Sequence, residues 1–426
     1  MFIVSASRRN AAIRMALLTG ACLVAPILHA QVCVAPSFHA AATVNVGASP
    51  MQVVLYDFNH DGINDLATAN LGDNTVSIEL GNGDGTFTQA SGSPISVETA
   101  AGGNSNGSRP DGLAVGDFNE DGKPDLALAL RNSNELVLLM GDGSGGFTAG
   151  TPITVGPANS TPDHIAVGDF DGDGHQDVAV SLSGLYTSGG VAVFRGDGAG
   201  NLSAAPGSPM ITNGGQMFGI VAGHFTGTAP LDLGLTDLAH DQLLILQGAG
   251  DGSFTLASAT TVVADSSARP FEVATADVNR DGLTDLLVAN FVQRSNGGEA
   301  VSPYNDVAVL IQQANHTFAA PVHVSAGGDL ISVATADFNA DGWPDFVVAN
   351  AAFSFGASAR FGDGTANFNG GGPTFYGAGG NPYNVATGIL NRGYDPGFVV
   401  VNQPSNTLSV YLNDCDAIFR NGFEAP

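Results

Sequence analysis

Acidic residues recur in this sequence at a fixed spacing within short loops. The segment Asp57–Asp65 reads Asp-Phe-Asn-His-Asp-Gly-Ile-Asn-Asp, and its pattern returns at Asp117–Asp125, Asp169–Asp177, Asp277–Asp285 and Asp337–Asp345. Side-chain oxygens stand at positions one, three, five and nine, a main-chain carbonyl is available at seven, and the glycine at six permits a sharp turn. Calcium prefers six to eight hard oxygen ligands at flexible spacing. Each loop therefore predicts a calcium site, as a shortened relative of the EF-hand loop.

Five loops in register favour metal binding over a structural alternative, in which the Asp and Asn side chains only cap glycine turns. Clustered carboxylates without a cation would repel one another at close range. We therefore expect about five Ca²⁺ ions. The predicted ligands, with position seven contributing its carbonyl, are Asp57, Asn59, Asp61, Ile63, Asp65, Asp117, Asn119, Asp121, Lys123, Asp125, Asp169, Asp171, Asp173, His175, Asp177, Asp277, Asn279, Asp281, Leu283, Asp285, Asp337, Asn339, Asp341, Trp343 and Asp345.

Each acidic loop lies between two short apolar runs. Leu113–Gly116 precedes the second loop and Leu126–Ala129 follows it, while a third run, as at Thr75–Leu80, ends in a Gly-Asp-Gly turn. A fourth run, as at Phe147–Val155, completes the repeat. Four short strands in every repeat predict the blades of an all-β propeller.

Two further repeats keep the strand pattern but lose the acidic loop. Residues 218–235 retain only Asp232 among the ligand positions, and residues 385–402 retain only Asn391. Five full and two degenerate repeats predict seven blades. The last repeat lacks a fourth strand, whereas Phe38–Gly47 resembles one. We therefore expect the N-terminal strand to join blade seven, which closes the ring and removes its exposed edge.

The cysteines support this closure. Cys33 and Cys415 both align with the turn between the third and fourth strands of a repeat, so a closed ring would place them side by side. We expect a disulfide between them in an oxidising compartment. The alternative is a pair of unpaired buried thiols.

The N-terminal residues have the pattern of a secretory signal. Three arginines precede the apolar run Met15–Leu28, and Ala30 offers a small residue at the cleavage site. The run is too short for a membrane span, and no comparable one follows it. An alternative interpretation takes Leu18–Cys22 as a lipoprotein cleavage site with a lipidated Cys22. The predicted organisation is a signal peptide at 1–30, a propeller at 31–413 and a tail at 414–426.

At its acidic loops the chain resembles the VCBS and FG-GAP repeat family, which includes the N-terminal propeller of integrin α subunits. The resemblance covers about residues 37–413 and implies a seven-bladed propeller with calcium in the five full loops. The Phe-Gly and Gly-Ala-Pro signatures are poorly kept, so we expect the bacterial VCBS-like branch. Family members include adhesins, carbohydrate-binding modules and propellers appended to enzymes, so the family does not name a function.

The net charge of the chain limits the classes of partner that it can bind. The chain has 40 acidic and 13 basic residues, a net charge of −27, and Lys123 is its only lysine. A phosphate backbone would be repelled, which argues against nucleic acid. An acidic surface suits extracellular life and cation binding. We expect a secreted or cell-surface bacterial protein, with the periplasm as an alternative.

Candidate ligand-binding residues lie just before the first strand of several blades, where polar groups would converge near the central channel on the face opposite the acidic loops. They are Arg109, Asp111, Asp163, His164, Arg269, Glu272 and Tyr383. The alternative is that these segments simply start strands beside prolines. Arg195–Asp197 matches the Arg-Gly-Asp tripeptide that integrins recognise, but it stands at a Gly-Asp-Gly turn of the repeat, which explains it better.

No nucleophile elbow, paired-histidine metal motif or phosphate loop is present in the sequence. We therefore prefer a calcium-stabilised extracellular binding or adhesion module for a carbohydrate or protein partner. A propeller-type polysaccharide hydrolase or lyase is the alternative, and a purely structural surface protein is the third hypothesis.

Overall fold

The computed structural model describes residues 37–98, 107–184, 189–211, 215–263, 268–292, 306–351, 356–393 and 395–415. The predicted signal peptide, Cys22, Cys33 and the tail from residue 416 lie outside the described residues. So do residues 99–106, 185–188, 212–214, 264–267, 293–305, 352–355 and 394. Among the described residues, no helix is long and apolar enough to cross a membrane.

The described chain forms seven antiparallel sheets, each the blade of a propeller. The first strand is β1 (Phe38–Asn45). The strands of blades one to three are β2 (Pro50–Tyr56), β3 (Asp65–Asn70), β4 (Thr75–Gly81), β5 (Phe87–Gln89), β6 (Ile95–Ser96), β7 (Pro110–Gly116), β8 (Asp125–Leu130), β9 (Glu135–Gly141), β10 (Phe147–Ala149), β11 (Ile153–Thr154), β12 (Pro162–Gly168), β13 (Asp177–Leu182), β14 (Gly190–Gly196), β15 (Leu202–Ala204) and β16 (Met210–Ile211).

Blades four to seven continue the same order. Their strands are β17 (Met217–Gly223), β18 (Asp232–Asp237), β19 (Gln242–Gly248), β20 (Phe254–Thr261), β21 (Ala268–Ala276), β22 (Asp285–Val292), β23 (Asp306–Leu310), β24 (Val322–Ser325), β25 (Leu330–Ala336), β26 (Asp345–Asn350), β27 (Ala357–Phe361), β28 (Gly371–Tyr376), β29 (Pro382–Gly388), β30 (Gly397–Asn402) and β31 (Thr407–Asn413), with a 3-10 turn at Gln403–Ser405. The predicted all-β, seven-bladed fold is confirmed.

The core is distributed around the ring. Seven clusters of buried apolar side chains are found among the described residues, one at each contact between neighbouring blades. The second strand of each blade is buried along its whole described length apart from the half-buried Phe291 in blade five, because blades pack on both of its faces. The outer strands, such as β5 and β10, are largely exposed to solvent.

The N-terminal strand closes the ring as predicted. β1 pairs antiparallel with β31, from Phe38 opposite Asn413 to Asn45 opposite Thr407, with one bulge between Ala40 and Ala42. The Phe38 ring packs edge-on against Phe338 and Phe398, at centroid distances of 5.1 and 4.9 Å. Blade seven therefore contains strands from both ends of the described chain.

Candidate metal loops and channel cluster

Each acidic loop connects the first strand of a blade to the second. In blade one, Asp57 follows β2 directly and Asp65 is the first residue of β3. The glycine at position six, Gly62, has a φ of 85°, a backbone conformation that L side chains rarely adopt. This turn folds the oxygen-bearing side chains back towards position nine.

The aspartate at position nine ties the loop to the blade. In blade one, the Asp65 carboxylate accepts hydrogen bonds from the Phe58 N–H at 2.9 Å and from the Gly81 N–H at 2.8 Å. The same pair of bonds forms at Asp125, Asp177, Asp285 and Asp345. Position nine therefore has a structural task besides its predicted role as a metal ligand.

The carboxylates at positions one and five also turn inward. Asp57 accepts hydrogen bonds from the N–H groups of Asp61 and Gly62, at 3.0 and 2.8 Å, and Asp61 accepts one from the Ile63 N–H at 2.9 Å. The amide oxygen of Asn59 accepts a further bond from the Asp61 N–H. These bonds hold the side chains of positions one, three and five around one small volume.

Burial and repulsion by the other loop carboxylates both raise the pKa of the carboxylate at position nine. Burial, with a smaller contribution from Asp61 and Asp57, raises the pKa of Asp65 to about 6, although two backbone N–H groups oppose the shift. Burial likewise raises the pKa of Asp177 and Asp285 to about 6 and that of Asp345 to about 7, and the other loop carboxylates add to each shift. A cation among these groups would favour their charged forms.

The donor set fits a hard divalent cation. In blade three, oxygens of Asp169, Asp171 and Asp177 lie within 4.8 Å of one another. In blade six, one buried oxygen of Asp337 has no hydrogen-bond partner among the described residues. Converging carboxylates and amide oxygens without nitrogen or sulfur donors are the ligand type of calcium. The residues present are therefore compatible with the predicted ion.

The blade-four loop has a histidine, His224, at position one and the hydroxyl groups of Thr226 and Thr228 at positions three and five. Its one retained carboxylate, Asp232, accepts hydrogen bonds from the Phe225 N–H, the Gly248 N–H and the Thr226 hydroxyl, at 2.8, 3.0 and 2.9 Å. Gln312 of blade five reaches the same loop and donates to the carbonyls of His224 and Phe225. Protein groups therefore hold this loop in place.

The blade-seven loop lies against blade one instead. Asn391 forms an isolated β-bridge with Asp84 of the first Gly-Asp-Gly turn, and the Arg392 N–H donates to the Gly83 carbonyl at 3.1 Å. The Asn64 N–H also donates to the Ile389 carbonyl. These contacts connect the closing blade to the first one.

Most of the predicted channel residues do converge. Arg131 pairs with both Asp111 and Asp163, at 2.7 and 3.0 Å, and His164 pairs with Glu272 at 3.2 Å. These five residues, together with Tyr383, are called the channel cluster below. The His164–Glu272 pair joins blade three to blade five across blade four, where the Phe218 ring packs against both His164 and Phe271.

The charges of the channel cluster are interdependent. Burial alone would lower the pKa of His164, but Glu272 raises it to about 9. Burial raises the pKa of Asp163, and Arg131 opposes the shift. Burial also raises the pKa of Tyr383 well above its usual range, and the Asp111 carboxylate adds to the shift. The cluster holds three carboxylates against one guanidinium and one imidazolium.

Three of the predicted ligand residues, Arg109, Arg269 and Tyr383, take no part in these ion pairs. Arg109 contributes its carbonyl, which accepts a hydrogen bond from the Arg131 N–H, and neither the Arg109 nor the Arg269 side chain forms an ion pair in the described part of the chain. Arg131 was missed because it follows a second strand rather than preceding a first one. Since β8 runs antiparallel to β7, however, its end meets the start of β7.

The Arg-Gly-Asp tripeptide forms the turn that the repeat predicts. Asp197 accepts hydrogen bonds from the N–H groups of Ala199 and Asn201 at 2.9 and 3.0 Å, and from the Asn201 side-chain amide. Arg195 lies 3.6 Å from Asp171 of the acidic loop. The carboxylate is thus used within its own turn.

Comparison with known proteins agrees with the repeat pattern. The FG-GAP-like repeat family matches residues 57–128, 117–180 and 300–348, and the FG-GAP repeat family matches residues 331–369. None of the curated proteins matches this sequence.

Several solved structures share the fold. A crystal structure of BBS1N in complex with ARL6DN is 11% identical over 90% of this chain and 98% of that chain, with a TM-score of 0.57. Virginiamycin B lyase from Staphylococcus aureus is 10% identical over 88% of this chain and 99% of that chain, with a TM-score of 0.55. A streptogramin B lyase structure is 10% identical over 90% and 99%, with a TM-score of 0.51. At such identities the likeness concerns the fold alone. Together, the FG-GAP repeats matched within residues 57–180 and 300–369 and the ring of seven blades support an FG-GAP repeat seven-bladed β-propeller.

Proposed function

We propose that this chain is a secreted β-propeller, stabilised by calcium in five loops, that acts as an extracellular binding module for a carbohydrate or protein ligand. The observation that carries the proposal is the convergence of carboxylate and amide oxygens in each full loop, best seen at Asp169, Asp171 and Asp177. An FG-GAP propeller by itself supports a module of the binding or adhesion type.

In this proposal the metal loops stabilise the blades, and the rest of the surface binds the ligand. A bound Ca²⁺ ion would neutralise the loop carboxylates and fix the loop between the first two strands of its blade. The chain's own residues orient the ligands, since loop N–H groups already hold these carboxylates in place. The two degenerate loops rely on Gln312 and on the contact of Asn391 with Asp84.

The pairing at the closed ring also supports the proposed disulfide. The Asp414 N–H donates to the Ser37 carbonyl at 2.8 Å, which brings the chain at Ser37 beside the residue preceding Cys415. Cys33 lies only four residues before Ser37 in the sequence, so the two cysteines are within reach of one another. We infer that a Cys33–Cys415 disulfide reinforces the seam in an oxidising compartment.

Calcium removal tests the proposal directly. We expect EDTA to lower the melting temperature of the mature protein substantially, because binding to the folded state alone stabilises it in proportion to the logarithm of the free ligand concentration. Metal analysis of the calcium-loaded protein should count about five ions, and Asp121→Ala should remove one of them. An unchanged melting temperature in EDTA would rule out the calcium loops. Arrays of glycans and extracellular proteins, followed by a product assay on the hits, then separate binding from turnover.

A further inference from the structure

The boundary between blades four and five departs from the repeat in three segments that meet in space. The blade-four loop retains only Asp232 of the acidic ligands, and residues 312–317 replace the glycine turn after β23. The outer strand β20 is continuous over eight residues, whereas blades one to three each have two short outer strands. These segments line an open cavity of about 340 Å³, called the blade-four groove below.

The blade-four groove is rich in uncharged polar groups. Hydroxyl, amide and imidazole groups line it beside the apolar side chains of Phe225, Ile245 and Phe318, and the two phenyl rings are 6.2 Å apart. The polar lining consists of Thr226, Gln247, Ser258, Thr260, His316 and Thr317. Within the described part of the chain no carboxylate lines this groove, although the sequence has 40 acidic residues.

An equivalent groove in blade two shows which side chains line this position in a blade that follows the repeat. It is larger, about 420 Å³, and lies between the outer part of blade two and the turn of blade three. Its polar lining consists only of Asn119, Thr151 and Asn201 among the described residues, and its remaining side chains include Leu138 and Met140. Polar groups are therefore concentrated in the blade-four groove beyond what the architecture requires.

His316 is placed there at a conformational cost. It has a φ of 60°, in the left-handed region, at the turn position that other blades fill with a glycine such as Gly200, at 81°. A histidine in this region costs conformational energy that a glycine would not, and other contacts must offset this cost. The buried Nδ1 atom of His316 has no hydrogen-bond partner among the described residues. A Cβ atom at Gly227 would lie 2.3 Å from the imidazole, so this glycine makes room for the ring.

We propose that the blade-four groove binds an uncharged sugar unit of an extracellular glycan, which deepens the proposed binding function and rests on it. Sugar hydroxyls can pair with the hydroxyl, amide and imidazole groups, while the C–H faces of the ring pack on Phe318 and Ile245. Among the residues that the structure describes, the lining of the groove contains no Asp, Glu, Lys or Arg side chain that would pair with a charged ligand. A cavity at the lower end of the usual range for ligand pockets, roughly 300 to 1,000 Å³, suits one or two sugar rings.

The test uses the calcium-loaded mature protein on an array of neutral and charged glycans, followed by titration calorimetry with the neutral oligosaccharide retained. We expect His316→Gly, which restores the glycine of the other turns, to weaken binding at least tenfold while the fold is kept. Ser258→Tyr, which fills the groove from β20, should abolish binding. The matched control is Thr151→Tyr in the blade-two groove, and it should bind like the wild type.

Two results would overturn the inference. One is an array on which no neutral glycan is retained. If a protein or a charged glycan binds in the same experiment, the broader proposal of a binding function is still supported. The other is a neutral glycan that His316→Gly and Ser258→Tyr bind as tightly as the wild type does. A raised melting temperature of His316→Gly, from relief of the left-handed φ, would show that the variant is folded.

Discussion

At position nine of each loop, one aspartate serves two backbone N–H groups that belong to different parts of its blade. Asp65 joins the start of its own loop to the end of β4, and Asp232 does the same in blade four, where the other acidic ligands are gone. This second task explains why Asp232 persists in a degenerate loop. Metal binding and backbone pairing are therefore separable at this position.

Substitution of the two aspartates should separate these tasks. Asp232→Ala leaves buried N–H groups without acceptors, so we expect a loss of about 3 kcal/mol in the free energy of unfolding, equal in calcium and in EDTA. Asp65→Ala should lose more in calcium than in EDTA, because it also removes a predicted ligand. Urea denaturation of both variants under both conditions measures the difference. A cost of Asp232→Ala that disappears in EDTA would mean that blade four binds metal.

Glu79 is a second residue whose environment conflicts with its charge. It lies on β4 opposite Leu66, at the position that Leu139, Leu246 and Leu310 occupy in other blades. Its side chain is buried, and one carboxylate oxygen has no hydrogen-bond partner among the described residues. Burial raises the pKa of Glu79 to about 7 from its usual 4.5.

This shift predicts a pH-dependent cost. Since the folded state prefers the protonated acid, the stability contributed by Glu79 is present below pH 4.5 and is lost as the pH rises through about 7. Glu79→Leu should therefore stabilise the protein by on the order of 2 kcal/mol at pH 8.5, and by much less at pH 5. Denaturant midpoints at the two pH values measure this, with the exposed Glu98→Gln as a control. An equal gain at both pH values would show that the buried charge is not the source of the cost.

Blade four shows which contacts hold a blade in place when its loop has lost all but one of its acidic ligands. Gln312 begins the turn after β23, where most blades have glycine, and its amide donates to His224 and Phe225 while its oxygen accepts from the Thr284 N–H. Its backbone N–H still donates to Asp285, as the turn glycine does elsewhere. One side chain thus links the loop of blade four to that of blade five.

Replacing this side chain should loosen one loop only. Gln312→Gly leaves the carbonyls of His224 and Phe225 and the Thr284 N–H without their partner, so we expect a loss of about 2 kcal/mol. Hydrogen exchange should become faster at residues 224–231, while the calcium content is unchanged. Gln313→Ala, at the next and exposed position, is the matched control. Unchanged exchange in residues 224–231 would show that blade four is held by other contacts.

The repeats made the blades predictable from the sequence, whereas the contacts between repeats could not be predicted in this way. Strand order, the seven blades and the borrowed strand β1 follow from patterns within each repeat, and the structure confirms them. Arg131, Gln312 and His316 act on residues of other strands or blades, so spacing along the chain carries no direct signal for them. A residue that breaks the repeat, such as Gln312 or His316 in place of glycine, is the one clue that the sequence contains.

For the whole molecule, stability depends on the seam where the two ends of the described chain meet. Phe38, on the borrowed strand β1, packs its buried ring against Phe338, Phe398 and Tyr376 at the contact between blades six and seven. The apolar clusters form a closed ring, so loss of one contact exposes an apolar face on each of two blades. The seam is therefore the place where the ring is expected to open first.

Phe38→Ala tests whether closure is a property of the whole ring. Truncating a buried aromatic ring costs about 3 to 5 kcal/mol, and we expect this loss together with faster hydrogen exchange in both blade six and blade seven. Leu256→Ala, which truncates a side chain that is 58% exposed on β20, should change the stability by less than about 0.5 kcal/mol. Cys33→Ser combined with Cys415→Ser should enhance the effect of Phe38→Ala, since the predicted disulfide and the ring close the same seam. Strictly additive losses of stability would instead show that the disulfide and the aromatic cluster stabilise the seam independently. Faster hydrogen exchange confined to β1 would show that this strand frays without opening the ring.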